Sequence, residues 1–317
     1  MQKIHVRFRG RISHGLVRDA ADLRQGVLLQ ARPPRRSIMR FFSWLRNSIL
    51  SQARARNRVY GASRQRVTFR PQVEALERRE VPSTLTVTNN LDSGHGSLRY
   101  EIAHARNNDT IVFAPSLDGK TITLTSGELD ITTGLTIKGP GAGQLTISGG
   151  NHSRVFEVNA SAPVFLSGLT ISNGLAFNST TLHENDGGGI LNLSTLTLSG
   201  CVVSGNSASL PETGYGGGIY NAGTLTLSGC TVSNNNANPD LAGGYGGGIY
   251  NAGTLTLSNS TLSGNFASDI GGGIYNVGTL TVSNSTFSSN LAFDSFSGYY
   301  TSNIVGSYTD GGGNSFS

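Results

Sequence analysis

The sequence predicts an all-β fold: a parallel β-helix, or solenoid, of about six or seven coils with a short N-terminal capping helix. Three observations predict it. The hexapeptide Gly-Gly-Gly-Ile-Tyr-Asn occurs at 216–221, 246–251 and 271–276, and a relative ending Ile-Leu-Asn occupies 187–192. Each copy is followed by Thr-Leu-Thr-Leu-Ser or its Val variant and then by a short hydrophobic stretch closing on Asn. Measured at the third glycine, the steps from Gly189 to Gly218, Gly248 and Gly273 are 29, 30 and 25 residues. A unit of that size cannot bury a core alone, so the copies must stack.

Within each unit three short strands are expected. Leu225 and Leu227 alternate with Thr224, Thr226 and Ser228, the period of a strand with one buried face. The same alternation recurs at Leu196/Leu198, Leu255/Leu257 and Leu280/Val282. Stacking places like on like: Ile190, Ile219, Ile249 and Ile274 form one interior ladder, and Val203, Val232, Leu262 and Phe287 another. Two asparagine columns, Asn192/221/251/276 and Asn206/235/265/290, close the first and third strands, where side-chain amides can bond along the axis. Weaker copies run backward: Leu135–Gly139 aligns with Val164–Gly168, and Leu145–Ser148 with Leu169–Ser172. Thr121–Ile131 reads as the first coil, giving a rod about 30 Å long at the strand spacing.

The ends need caps, because an end coil exposes apolar surface and unpaired edges. Ser97, followed by Leu98, Ile102, Ala103 and Ala105, reads as the N-cap of a short amphipathic helix over the first coil. At the far end, Asp310–Ser317 reads as the beginning of another coil, leaving two alternatives: a truncated last coil, or one capped by Tyr299–Tyr308.

Charge divides the chain. Residues 1–82 hold 19 of the 24 Lys+Arg and 5 of the 19 Asp+Glu, while 83–317 carry 5 basic and 14 acidic residues. The first segment therefore reads as a basic, disordered leader or sorting segment, 83–120 as cap and first strands, and 121–317 as the β-helix. Met39 offers an alternative start, which would leave 1–38 untranslated. The apolar patch Phe41–Leu50 is interrupted by Arg46 and Asn47, too short and polar for a standard signal peptide or a membrane span. The Arg run lacks aromatic interleaving, so no specific nucleic-acid partner is expected.

The Gly-Gly-Gly-Ile motif and Phe287–Asn290 resemble the repeats of chlamydial polymorphic outer-membrane proteins, and the whole resembles right-handed parallel β-helix proteins of the pectin-lyase-like superfold. Leu76–Pro82, reading Leu-Glu-Arg-Arg-Glu-Val-Pro, is similar to a motif near the N-termini of large exported planctomycete proteins. The resemblance spans 76–317 and implies a right-handed solenoid and an extracellular or envelope location, reached through a non-standard leader. It implies no settled activity.

For acidic-polysaccharide lyase chemistry a base and charge-neutralising cations are required. After Arg154 there is no Lys or Arg, and His183 is the one later histidine, which disfavours a lyase. Hydrolysis needs paired carboxylates; Glu184, Asp186, Glu212, Asp240, Asp269 and Asp310 all precede glycine motifs, but at unequal offsets. Asp186, Asp240 and Asp269 are the weak catalytic candidates, and with Glu184 the weak Ca²⁺ ligands. In the front coils Lys138, His152, Arg154 and Glu157 read as surface scatter.

Tyr220, Tyr250 and Tyr275 follow the buried isoleucines, so alternation turns them outward as an aromatic ladder that either stacks sugar rings or braces the sheet. Tyr215 and Tyr245 stand in the adjacent loops. Cys201 and Cys230 occupy equivalent positions in neighbouring coils, open to a disulfide or to two buried thiols. The Asn178-Ser179-Thr180 sequon matters only in a glycosylating host. These readings favour an exported, non-catalytic surface rod, adhesin-like or structural. The alternative is a carbohydrate-active enzyme or glycan-binding module whose partner is an extracellular polysaccharide. Substrate and oligomeric state are not legible.

Overall fold

The computed structural model describes residues 81–177, 185–209, 213–238, 243–294 and 298–317. The leader, Glu184, Glu212, Asp240, His183 and the 178–180 sequon lie outside the described residues. The rest is a parallel β-solenoid of about seven coils.

The predicted ladders stack one residue on one. Ile190, Ile219, Ile249 and Ile274 are in register, and so are Val203, Val232, Leu262 and Phe287, each fully buried. The Thr-Leu-Thr strands pair along their whole length, from Thr195–Ser199 through Thr224–Ser228 and Thr254–Ser258 to Thr279–Ser283. Their leucines enter the core and their threonines face out, because successive side chains of a strand point to opposite faces. The weaker backward alignments also hold: Ile137 pairs with Leu166, and Ile147 with Ile171.

Both asparagine columns are buried amide chains. Asn192 donates to Asn221 at 2.7 Å, Asn221 to Asn251 at 2.6 Å and Asn251 to Asn276 at 2.6 Å. In the second column Asn206 donates to Asn235 at 2.9 Å, Asn235 to Asn265 at 3.0 Å and Asn265 to Asn290 at 2.8 Å. Each amide of this column also donates to a carbonyl one coil below, as Asn235 does to Val203 at 2.9 Å. The glycines beside the chains are steric necessities. A Cβ on Gly217 would fall on the backbone of Asn236.

Four features depart from expectation. Each regular coil has a fourth, two-residue strand, among them Ser207–Ala208, Asn236–Ala237 and Phe266–Ala267, too short to show a period. Stacking begins before Thr121, since Thr84–Val87 pairs with Thr110–Phe113 and that strand with Thr136–Lys138. The last coil begins at Ile304–Val305, so Asp310–Ser317 supplies its second and third strands and not its beginning. Gly298–Thr301 turns back antiparallel on Leu291–Asp294, the exception to parallel pairing among the described residues.

The capping helix, α1 (Leu98–His104), forms as predicted. The Ser97 hydroxyl accepts from the Tyr100 N–H at 3.2 Å and donates to the Gly94 carbonyl at 2.7 Å. Leu98 and Ile102 enter the core, whereas Ala103 is exposed. No helix among the described residues is long and apolar enough to cross a membrane.

Candidate functional site

The front coils assemble a cluster that the repeats lack. Leu129–Ile131 pairs with Phe156–Val158, placing Asp130 opposite Glu157. Leu129, Ile131, Phe156 and Val158 are buried, so alternation turns both acids outward on one face. Glu128 joins them, and the three carboxylates each offer an oxygen within 4.8 Å of the others. Arg154 reaches into this group, its guanidinium 2.5 Å from Glu128 and 3.6 Å from Glu157. Its Nε donates to the Asp186 and Gly187 carbonyls at 3.0 and 3.1 Å, which ties the cluster to the next coil. One guanidinium thus pairs with two of the three carboxylates. Burial raises the Glu128 pKa, the Glu157 and Asp130 charges add to the rise, and Arg154 opposes it.

Beside the cluster lies a cleft of about 220 Å³ lined by Glu128, His152, Ser153, Arg154, Leu175 and Phe177, among others. Phe177 is 60% exposed, an open ring plane next to polar groups. The spacing argues against inverting hydrolysis, which needs carboxyls roughly 6.5–9.5 Å apart. The same three carboxylates are the described residues able to hold a hard cation, with Arg154 competing for them.

Of the front-coil residues named from sequence, the structure brings Arg154 and Glu157 together and places His152 in the cleft wall. Lys138 ends a strand of a different sheet. Glu128 and Asp130 were missed. Their signal was the match of Leu-Asp-Ile at 129–131 with Phe-Glu-Val at 156–158, two strands with an acid at the outward position.

Among the described residues, the repeat-array acids Asp186 and Asp269 do not converge. Asp186 is buried and occupies one column with Tyr215, Tyr245 and Ile270. Asp269, beside Ile270, is therefore three coils from Asp186, roughly 14 Å along the axis at the strand spacing. A catalytic or Ca²⁺ pairing of Asp186 with Asp269 is excluded by that distance; Glu184 and Asp240 lie outside the described residues.

The tyrosine ladder is real but not open. Tyr220, Tyr250 and Tyr275 stack in register, yet Tyr220 is buried and the other two are half-buried. The connecting segments cause this: Gly214–Tyr215 and Gly244–Tyr245 pair as a small sheet of their own and lay their rings over the ladder. Tyr215 lies 5.5 Å from Tyr245, nearly parallel, and meets Tyr250 edge-on at 4.9 Å. The neighbouring Asp269 carboxylate and burial push the Tyr245 pKa up to about 12. Tyr220, Tyr250 and Tyr275 thus brace one another in the stack, with the rings of Tyr250 and Tyr275 half-buried. Cys201 and Cys230 are free thiols in this structure, both buried. Burial pushes the Cys201 thiol up to about 11 and raises that of Cys230.

The family model described as the right handed beta helix region matches residues 124–292, more than half of the chain. The chain belongs to this right-handed β-helix family. No curated protein matches it. Membership accounts for the solenoid; the matched segment includes Glu128, Asp130, Arg154 and Glu157 as well as the tyrosine stack.

Proposed function

We propose that this β-helix protein is an exported, non-catalytic rod of the cell surface or envelope, an adhesin-like or structural module. The observation that carries the reading is where the repeat places its chemistry. The asparagine columns are buried amide chains, the tyrosines stack on one another, the thiols are buried in the core, and Asp186 and Asp269 stand apart. Side chains committed to their neighbours in the stack hold a rod together and leave little to act on a substrate. The motif at Leu76–Pro82 supports export. The test is protease shaving of intact cells followed by detection of the chain, with a lysed control. Loss from intact cells is expected; protection until lysis refutes the surface reading.

A second reading is favoured by one specific observation, the cleft beside Glu128 with Phe177 at its mouth. There the protein acts on, or binds, an extracellular polysaccharide. Incubation with a polysaccharide panel and assay of newly formed chain ends separates the two. Release that disappears in Glu128→Gln and Glu157→Gln supports the second reading and overturns the first.

A further inference from the structure

The tyrosine stack has a property that bracing does not require. Five phenols form one continuous network: Tyr220 and Tyr250 are parallel at 5.2 Å, Tyr250 lies 5.5 Å from Tyr275, and Tyr245 lies 5.3 Å from Tyr275 and 5.5 Å from Tyr215. Rings in such contact pass an electron vacancy among themselves readily. One member, Tyr245, also has a carboxylate beside it, that of Asp269, to take up its proton. Phenol oxidation releases a proton with the electron, so a phenol beside a carboxylate is the member at which the oxidation settles. Its neighbours Tyr215 and Tyr275 belong to adjacent coils, within reach of its ring.

We propose that the stack is an oxidative cross-linking site, at which Tyr245 couples to Tyr215 or Tyr275 and joins two coils covalently. The co-reactant is a one-electron oxidant of the class a haem peroxidase forms from hydrogen peroxide. Two phenols each lose one electron and one proton, and two oxidant equivalents are each reduced by one electron. A carbon–carbon bond forms between the ring positions ortho to the two hydroxyls. The Tyr245 proton passes to Asp269 and on to solvent, and the second proton leaves directly. The net change is the loss of two hydrogens. The product adds a covalent link between stacked coils beyond the chain itself, so it adds resistance to unfolding from within the rod.

The test treats the full chain with hexachloroiridate(IV) and digests it with a protease that cuts before Asp. This yields 186–239, containing Tyr215 and Tyr220; 240–268, containing Tyr245 and Tyr250; 269–293, containing Tyr275; and 294–309, containing Tyr299, Tyr300 and Tyr308. The expected product is monomeric, fluoresces as coupled phenols, and contains 240–268 joined to 186–239 or 269–293 with two hydrogens missing. Tyr245→Phe keeps the ring and should lower the intramolecular yield several-fold. Asp269→Asn should slow its formation, and Tyr299→Phe should leave both unchanged. Tyr299 is 68% exposed, so coupling governed by access alone would select it and give dimers through 294–309. That outcome overturns the proposal, as does an intramolecular yield indifferent to Tyr245→Phe.

Discussion

Asn235→Ala should cost about 4 kcal/mol, a large share of what typically holds a domain together. The amide sits in the middle of a buried chain. Its Nδ2 donates to the Val203 carbonyl at 2.9 Å and to Asn265 Oδ1 at 3.0 Å. Its Oδ1 accepts from the Asn206 N–H at 3.1 Å and from Asn206 Nδ2 at 2.9 Å. Four hydrogen bonds at about 1 kcal/mol net each give the figure. The floor is about 2 kcal/mol, because Asn206 Nδ2 keeps its bond to Ile171 while the buried Asn206 N–H keeps nothing in its place. The control is Asn234→Gly, one residue earlier: Asn234 is exposed, with φ of 54°, a conformation that Gly adopts freely, so little change is expected. Urea unfolding followed by circular dichroism reads both as shifts in midpoint. If Asn235→Ala moves the midpoint no more than Asn234→Gly does, the amide chain contributes nothing net and the account of coil stacking fails.

Gly217→Ala should prevent or severely weaken folding, because the added methyl falls on the Asn236 backbone, whereas Gly229→Ala has open space and meets only the cost of its φ of 63°; soluble yield and midpoint compare them. Native protein should leave Cys201 and Cys230 unmodified by iodoacetamide at neutral pH and expose both in urea, since burial holds the thiols protonated and covered; rapid labelling of the folded chain would contradict their placement. Glu128 has a raised pKa, so the folded state binds its proton more tightly than the unfolded chain does, and its contribution falls as pH rises from the ordinary carboxyl range through the raised value. Glu128→Gln should flatten that limb of a stability–pH profile, and an unchanged profile would refute the assignment. Ser97→Ala should cost about 1 kcal/mol through loss of the cap on α1, measured by urea midpoint.

Most of the solenoid was legible because its information is local and repeated. The Thr-Leu-Thr alternation names the buried face, and the fixed offset of Ile219 from Ile249 names the stacking partner. The fourth strand was not legible, since two residues ending in Ala237 or Ala267 have no period to read. The first strand of the last coil was missed because Ile304–Val305 has lost the Gly-Gly-Gly prefix that marks its counterparts. The site was less visible. Outward direction was correctly assigned to Tyr220, but exposure depends on what a loop does, and Tyr215 folds over that face only because Gly214–Tyr215 pairs with Gly244–Tyr245. Glu128, Asp130, Glu157 and Arg154 lie where repeats are weakest, and an ion cluster assembled from different coils leaves no motif in the text.

One column links these observations. Read along the axis, the outward position of the first strand is Asp130, Glu157, Leu191, Tyr220, Tyr250, Tyr275 and Val305. In a solenoid every coil has nearly the same backbone, so a change of chemistry along a column is not demanded by the fold. The regular stretch, Tyr220 to Tyr275, is what stacking alone would select: identical rings in contact, covered by a repeated loop. At Asp130 and Glu157 the column turns acidic on backbone that held apolar or aromatic residues elsewhere without difficulty. Two like charges directly opposite on paired strands destabilise a sheet, and burial makes the adjoining Glu128 costlier to ionise. Arg154 offsets part of that and leaves an excess of negative charge beside an open aromatic ring. The departure from the repeat therefore works against stability beside the front cleft, and if this rod recognises a ligand, the front coils are where the cost is repaid.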